Sequence, residues 1–252
     1  MSFNDKVVIV TGGSSGIGAA IAIQFSSLGA KVAIVGRNDK KLDAVAKKCK
    51  NPLTLVADVT KENDAKRIVN DTIKHFGKLD ILINNAGIAN PASILDENAM
   101  AVFDLVMATN LRSCVYLTHL AAPHIIKTKG NIINISSVAA LQVYSKQSFA
   151  YNSSKAAMDH FTRSVAAELA SHGVRVNVVN PGPVKTDIIE NLGMDKAQQE
   201  DVFAKMKSLT ALDRVSDAEE IADLVTFLAS DKAKGITGSS FVTDNGSMIK
   251  TD

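Results

Sequence analysis

Cysteine is scarce in this chain. Its 252 residues hold two, Cys49 and Cys114, too few for a disulfide framework and far from any metal-ligand spacing. Buried free thiols in a reducing compartment, and no metal, are the expectation. A charge surplus is also missing: 28 Lys and Arg against 26 Asp and Glu leave +2. Nothing electrostatic then calls for nucleic acid or an anionic membrane as partner. Neither end has a basic flank followed by an apolar stretch of about 7–15 residues, since Val7–Val10 is cut short by Thr11-Gly12. No run approaches the roughly 18 apolar residues of a membrane span, and the expectation is a cytoplasmic protein. Linkers rich in Pro, Gly or Ser, low-complexity tracts and repeats are absent too, so residues 1–252 read as one domain. At 46% hydrophobic and 21% charged, the chain is neither disordered, collagen-like nor a coiled coil.

What is present is an alternation. Short runs rich in Val, Ile and Leu lie at Val7–Val10, Lys31–Val35, Leu53–Ala57, Asp80–Ile83, Asn131–Ile135, Val174–Val179 and Ser239–Val242. Near-continuous apolar runs suit strands covered on both faces. Between them, Ala65, Ile68, Val69, Thr72, Ile73 and Phe76 step by three and four, as do Ala157, Phe161, Val165 and Leu169, the spacing of amphipathic helices. Strands alternating with helices predict an α/β fold: a doubly wound, seven-stranded parallel sheet with helices on both faces. Between Gly182 and Ser216 the alternation stops. A break that long inside one domain suggests a lid, placed at about 183–215.

TGGSSGIG at 11–18 follows the first strand and opens a helix. Gly12 permits a tight turn, Gly16 lets backbone approach a pyrophosphate and Gly18 lets the helix pack on the sheet, while the helix N-terminus offers free N–H groups to an anion. A Gly/Ser-rich turn alone would be weak evidence; the strand before and the helix after are the context the motif requires. Tyr151 and Lys155 stand four apart on a predicted helix and share a face. A Lys ammonium one turn away favours the phenolate, making a general acid/base suited to a carbonyl or alcohol oxygen. Ser137 ends the fifth strand, and its hydroxyl could polarise that same oxygen, whereas alternation turns the neighbouring Ser136 to the other face.

TGGSSGIG, NNAG at 84–87, Asn110, Ser137, YNSSK at 151–155 and PGPVKT at 181–186 stand in the order of the short-chain dehydrogenase/reductase family. The chain resembles its classical subfamily, including 3-oxoacyl-carrier-protein reductases, from about residue 5 to about 247. Two departures are small. Fourteen residues, where thirteen is common, separate Ser137 from Tyr151, and Asp244-Asn245-Gly246 stands where Asp-Gly-Gly is frequent. The resemblance implies a catalytic set of Ser137, Tyr151, Lys155 and Asn110, with Asn110 holding a water in a proton relay to Lys155. It implies a nicotinamide cofactor held by Gly12, Ser14, Ser15, Gly16, Ile17 and Gly18, by Asp58 and Val59 near the adenine, and by Asn85, Ala86 and Gly87. Tyr151 and Lys155 also touch the cofactor, and Pro181, Gly182, Val184 and Thr186 hold its carboxamide end. A homotetramer is implied as well.

The end of the second strand reads Val35-Gly36-Arg37-Asn38. An acid there would bind the ribose 2′-OH of NAD; Gly36 followed by Arg37 suits the 2′-phosphate of NADP, and Ser14 could add a hydroxyl. NADP(H) is therefore expected over NAD(H). Ile188, Ile189, Leu192, Met194, Val202, Phe203, Met206 and Leu209 give the lid apolar character, with Ala139, Leu141, Val143 and Tyr144 as the opposing wall. The reading is an NADP(H)-dependent oxidoreductase reducing a hydrophobic ketone to a secondary alcohol by hydride transfer, with Tyr151 as general acid. The alternatives are an NAD-dependent secondary alcohol or steroid dehydrogenase and, outside the enzymes, a cofactor-binding regulatory protein.

Overall fold

The apolar runs become strands because both of their faces are covered. The computed structural model describes residues 1–186 and 196–251, without the side chains of 196, 197 and 199. Strands β1 (Val7–Thr11), β2 (Lys31–Gly36), β3 (Leu53–Val56), β4 (Ile81–Asn84), β5 (Asn131–Ile135), β6 (Arg175–Pro181) and β7 (Ser240–Thr243) form one parallel sheet in the order β3-β2-β1-β4-β5-β6-β7. Every strand end lies within two residues of its expected place. Asp80 falls just outside β4, though its main chain bonds to Val7 and Asn131, and its buried carboxylate accepts from Val7 N at 2.8 Å and pairs with Lys6 and Lys78.

The helices are α1 (Gly16–Ser27), α2 (Asp39–Ala46), α3 (Glu62–Phe76), α4 (Ala99–Met107), α5 (Ser113–Thr128), α6 (Phe149–Leu169), α7 (Lys196–Ser208) and α8 (Ala218–Ala229); α1, α2, α3, α5, α6 and α8 pack on the sheet, and α4 packs on α6. In β1, Val8 and Val10 join Ile21 and Phe25 of α1 and Ile221 and Val225 of α8. Val7 and Ile9 join Ile68 of α3, Leu117 and Ile125 of α5 and Leu169 of α6 on the other face. Period-two alternation thus feeds two cores from one strand. Helix α6 departs from its apolar pattern. Its buried face carries Ser154, Lys155, Met158, Asp159, Thr162 and Ala166, and the expected Ala157, Phe161 and Val165 flank it half-buried.

Helices α4 and α5 are joined by a π-helical turn, Ala108–Arg112. The run Ala99–Thr128 is 30 residues long and holds an 18-residue window of mean hydropathy 1.2, one third of it buried, so among the described residues one helix is long and apolar enough to cross a membrane, although Asp104 and Arg112 interrupt its apolar residues. Its buried side belongs to the core on α3 and α6, through Leu117, Ala121 and Ile125. The chain leaves β1 toward β2 and leaves β4 toward β5. That reversal opens a crevice beyond the carboxyl ends of β1 and β4, where an open α/β sheet binds its ligand.

Candidate active site

The crevice is a cleft of about 690 Å³ running from the end of β2 across β1 and β4 to α6. Its floor is a lacing of two turns. Thr11 Oγ1 donates to Ile83 O at 3.2 Å and accepts from Asn85 N and Ala86 N at 3.0 and 3.1 Å. Asn85 Nδ2 donates to Thr11 O at 2.9 Å and Gly12 O at 3.3 Å. These bonds hold the Asn85–Gly87 turn against the Gly12–Gly16 turn.

The glycines leave room for backbone. Gly12 sits at φ +63°, and a Cβ there would come within 2.9 Å of Ala86 Cα; at Gly18 it would fall 2.3 Å from Gly12 O. Gly18 therefore does not line the cleft: it lets α1 start against the turn. The N-terminus of α1 has no side-chain cap at Ser15 and no acid in its first turn, so its N–H groups remain available to an anion. Ser14, Ser15 and Ile17 line the cleft beside them. Gly16, at φ +51°, faces Thr186, whose Cβ would lie 3.0 Å from a side chain there. This uncapped turn, open at Gly12 and Gly16, fits the pyrophosphate of a dinucleotide.

At the far end, Arg37 is exposed and Gly36 is buried. A Cβ on Gly36 would stand 3.0 Å from Ser14 Oγ, so an acid cannot enter at 36 without displacing Ser14. Lys40 and Lys41 also line this end, residues that the motif order had not pointed to. Asp58 closes a turn by accepting from Thr60 N and Oγ1 at 3.0 and 2.8 Å. Partial burial opposes its charge, but the Thr60 bonds and the Arg37 and Lys61 cations outweigh that and hold its carboxyl below the usual range. Val59 lines the cleft beside it.

At the other end α6 brings up Tyr151 and Lys155. Lys155 Nζ lies 5.6 Å from the Tyr151 ring centroid and donates to Ile135 O at 2.8 Å. Burial pushes its pKa down to about 8, with Cys114 and Asp159 opposing. The phenol departs from expectation. Burial pushes Tyr151 above its usual pKa, and a hydrogen bond with Ser137 works the other way. In the protein alone the ammonium is directed at a main-chain carbonyl, so desolvation of the phenol wins. Ser137 accepts from Ala139 N at 3.1 Å and is not one of the residues lining the cleft, whereas Ser136 is, its hydroxyl donating to Lys155 O at 3.2 Å.

Asn110 lies in the π-helical turn and is fully buried. Its Oδ1 accepts from Ile88 N at 2.8 Å, and its Nδ2 donates to Ile88 O and Ser154 Oγ at 3.0 and 3.1 Å. A Cβ on Gly87 would meet Asn110 Oδ1 at 3.3 Å and Lys155 Nζ at 3.6 Å, so the bare glycine keeps a gap between them. A single π turn inside a helix commonly marks a functional position; sequence alone showed an ordinary helix here.

Pro181, Gly182 and Val184 stand at the end of β6 without lining the cleft. Gly182 packs against Asp244, and Val184 bridges to Ser216. Of the expected lid, Ile188, Ile189, Leu192 and Met194 lie outside the described residues. Val202, Phe203 and Met206 are half-buried on α7, Leu209 is exposed, and Leu141, Val143 and Tyr144 are exposed on the loop between β5 and α6. Thr11 was missed as a site residue although it opens the Gly-rich motif; a Thr ending a strand just before such a turn is the signal that could have found it. No cluster of three or more His, Cys, Asp or Glu able to hold a metal occurs among the described residues.

Comparison with known proteins agrees with this geometry. The family model described as enoyl-(acyl carrier protein) reductase matches residues 12–248. L-fucose dehydrogenase of Bos taurus is 35% identical over 97% of this chain and 90% of its own length. (+)-Borneol dehydrogenase 2 of Salvia officinalis is 36% identical over 96% and 88%. The crystal structure of a short-chain dehydrogenase/reductase of unknown function from Caenorhabditis elegans, with cofactor, superposes with a TM-score of 0.94 at 34% identity, covering 99% of this chain and 97% of that one. The chain belongs to the short-chain dehydrogenase/reductase family. Its members are oxidoreductases that use a nicotinamide cofactor on alcohol or carbonyl groups.

Proposed function

We propose that this protein is an NADP(H)-dependent reductase of an apolar ketone. The observation that carries the cofactor preference is the end of β2: Gly36, which leaves Ser14 Oγ in place, followed by the exposed Arg37. A guanidinium and a hydroxyl are donors matched to a 2′-phosphate, and an acid that would bind a 2′-hydroxyl is absent from that position. Exposed Leu141 and Val143, on the loop between β5 and α6, and exposed Leu209 and Leu212, after α7, support an apolar substrate. The hydroxyl contact between Tyr144 and Ser247, at 3.3 Å, draws the C-terminal segment toward the same loop.

When bound, the nicotinamide supplies or accepts the hydride. The chain's own residues handle the proton and the orientation. Tyr151 gives its phenolic proton to the carbonyl oxygen, and Ser137 donates a second hydrogen bond to that oxygen and orients it. Burial keeps the phenol protonated at neutral pH, as a general acid for reduction requires. Lys155, cationic below about pH 8, stabilises the phenolate left behind. Asn110 lies across the Gly87 gap from Lys155 and sustains the proton's return from solvent. Pro181, Gly182, Val184 and Thr186 would meet the carboxamide end. Exposed Met100, Leu105 and Val115 on α4 and α5 support a homo-oligomeric, tetrameric state, which light scattering tests.

NADPH and NADH titrations of the wild type and Arg37→Ala test the cofactor reading. A preference for NADPH of about tenfold, or ~1.4 kcal/mol, that collapses in the variant is expected. Equal affinity, or tighter NADH, overturns it and makes the NAD-dependent oxidation of a secondary alcohol the leading reading. A ketone panel including camphor, run against L-fucose and glucose in the oxidative direction, tests the substrate class.

A further inference from the structure

Behind the catalytic group lies a buried carboxylate for which the mechanism has no use. Asp159 and Lys155 are four residues apart on α6, so they share the face turned to the sheet, and they are 3% and 4% exposed. Asn180, in β6, is fully buried and spends its amide on two partners: Nδ2 donates to Asp159 Oδ2 at 2.8 Å and to Ser137 O at 3.1 Å. Asp159 Oδ1 and Asn180 Oδ1 find no partner among the described residues. The single proton of the Ser136 hydroxyl, 3.2 Å from Lys155 O, can serve either that carbonyl or the carboxylate. A buried acid left half-satisfied is costly, and an apolar side chain of similar volume would be cheaper at this place. Its position, joined by one residue to Ser137 and one helical turn from Lys155, supplies a reason.

We propose that Asp159 is a positioning residue of the catalytic group, acting from behind it through Lys155 and through the Asn180 amide that also holds the Ser137 main chain. This rests on the reading of Tyr151 and Lys155 as the acid/base pair. The charged and titratable groups around Asp159 are Lys155, Arg163 and, two turns back, Tyr151, all on α6; Cys114 of α5 faces Lys155; β5 and β6 bring the neutral Ser136 and Asn180. Burial raises the Asp159 carboxyl, while Ser136, Asn180, Arg163 and Lys155 pull it back. Lys155 in turn is pushed down by burial and held up by Cys114 and Asp159. The carboxylate therefore keeps the ammonium charged in a site that disfavours charge. Removing one negative charge makes the first proton of the Tyr151–Lys155 pair easier to lose, from whichever partner it leaves.

The neutral isostere separates charge from anchoring, since Asp159→Asn keeps an oxygen for Asn180 and loses the charge. The test is competitive acetylation of the full-length protein by acetic anhydride across a pH series, with the peptide holding Lys155 followed by mass spectrometry. Lys155 is expected to titrate near 8 in the wild type and about one unit lower in Asp159→Asn; Asp159→Glu is expected to restore it. The alkaline limb of kcat/KM for ketone reduction moves with it, while KM changes less than kcat. Should Asp159→Asn fail to fold, Asn180→Ser removes the donor that favours the carboxylate and shifts Lys155 the same way by less. Lys155 titrating at one pH in the wild type and in every folded variant of this pair overturns the proposal. Labelling needs no turnover, so a missing ketone activity, or a Tyr151→Phe variant that stays active, sinks the enzymatic reading separately.

Discussion

Replacing Thr11 by Val removes one oxygen from the floor of the cleft and changes almost nothing else in shape. That oxygen is 1% exposed as part of its residue. It accepts from Asn85 N and Ala86 N and donates to Ile83 O. Valine would leave two main-chain donors without an acceptor. A buried unsatisfied donor costs about 1–3 kcal/mol, but Asn85 and Ala86 are only half-buried and water from the cleft recovers part of it. About 1 kcal/mol for each donor, with a little more for Ile83 O, gives roughly 2–3 kcal/mol. At roughly 2–4 °C for each kcal/mol in a domain of this size, thermal melting should fall by about 5–10 °C. Because Asn85 and Ala86 also line the cleft, NADPH binding should weaken in parallel. Thr11→Ser, which keeps the oxygen, should recover most of both. Fluorimetric melting and NADPH titration of the three proteins are the assays. A valine variant melting within about 1 °C of wild type would refute the idea that this hydroxyl joins the two turns.

Tyr151→Phe should lower kcat for ketone reduction by at least about 100-fold with NADPH affinity nearly unchanged, measured by steady-state kinetics and fluorescence titration. Gly18→Ala would put a methyl 2.3 Å from Gly12 O and 2.4 Å from Asn85 Nδ2; overpacking of about 1–3 kcal/mol should exceed the ~1 kcal/mol gain in helix propensity, so the variant melts lower and binds NADPH more weakly. For Lys155, a folded pKa of about 8, below the 10.5 of a free lysine, means that burying the ammonium costs stability below pH 8, a cost relieved as pH rises from 8 toward 10.5. That cost is about 3 kcal/mol, but Lys155→Met also leaves Asp159 without that cation and Ile135 O without its donor; the variant should lose turnover, and its melting temperature relative to wild type should fall between pH 8 and pH 10 in melting scans as the wild type's cost is relieved.

Much of the fold could be read before the structure because parallel strands buried on both faces write themselves as unbroken Val/Ile/Leu runs. Val7–Val10 and Asn131–Ile135 carry that pattern with little ambiguity. Helix α6 was read from Phe161, Val165 and Leu169, yet its buried face is centred on Lys155, Asp159 and Thr162. Periodicity assigns apolar residues to the inside and so mislocates a face chosen for chemistry. The cleft residues Ser14, Gly16, Asp58 and Thr186 followed from motif order, and the structure brings them into one crevice. The π turn at Asn110 was not legible, since one extra residue in a helical turn leaves no mark on a 3.6-residue pattern. The state of the Tyr151 phenol was misread for a related reason: spacing puts Lys155 nearby, but where its N–H groups point depends on Ile135 O, which only the folded sheet supplies.

The two ends of the sheet handle buried charge in opposite ways. At the amino end, Asp80 is 3% exposed and its carboxylate is fully engaged by Val7 N, Lys6 and Lys78; it closes the start of β1 against β4, and nothing about it needs to change. At the carboxyl end, Lys155 gives up part of its basicity to burial, and Asp159 and Asn180 each keep an oxygen without a partner among the described residues. Stability alone would favour an apolar or fully paired arrangement at both ends. Proteins break local rules of this kind mainly where function requires it. Of the four buried side-chain oxygens without a partner among the described residues, Asp159 Oδ1 and Asn180 Oδ1 lie beside Lys155 and Ser137, while Asn84 Oδ1 stands at the end of β4 and Asn131 Oδ1 at the start of β5; the two nearest the catalytic group are the ones set around a charge. Neutralising Asp80, whose carboxylate is engaged on every side, should therefore cost stability at neutral pH in Asp80→Asn, whereas Lys155→Met should differ from wild type chiefly in its pH dependence between about 8 and 10.5.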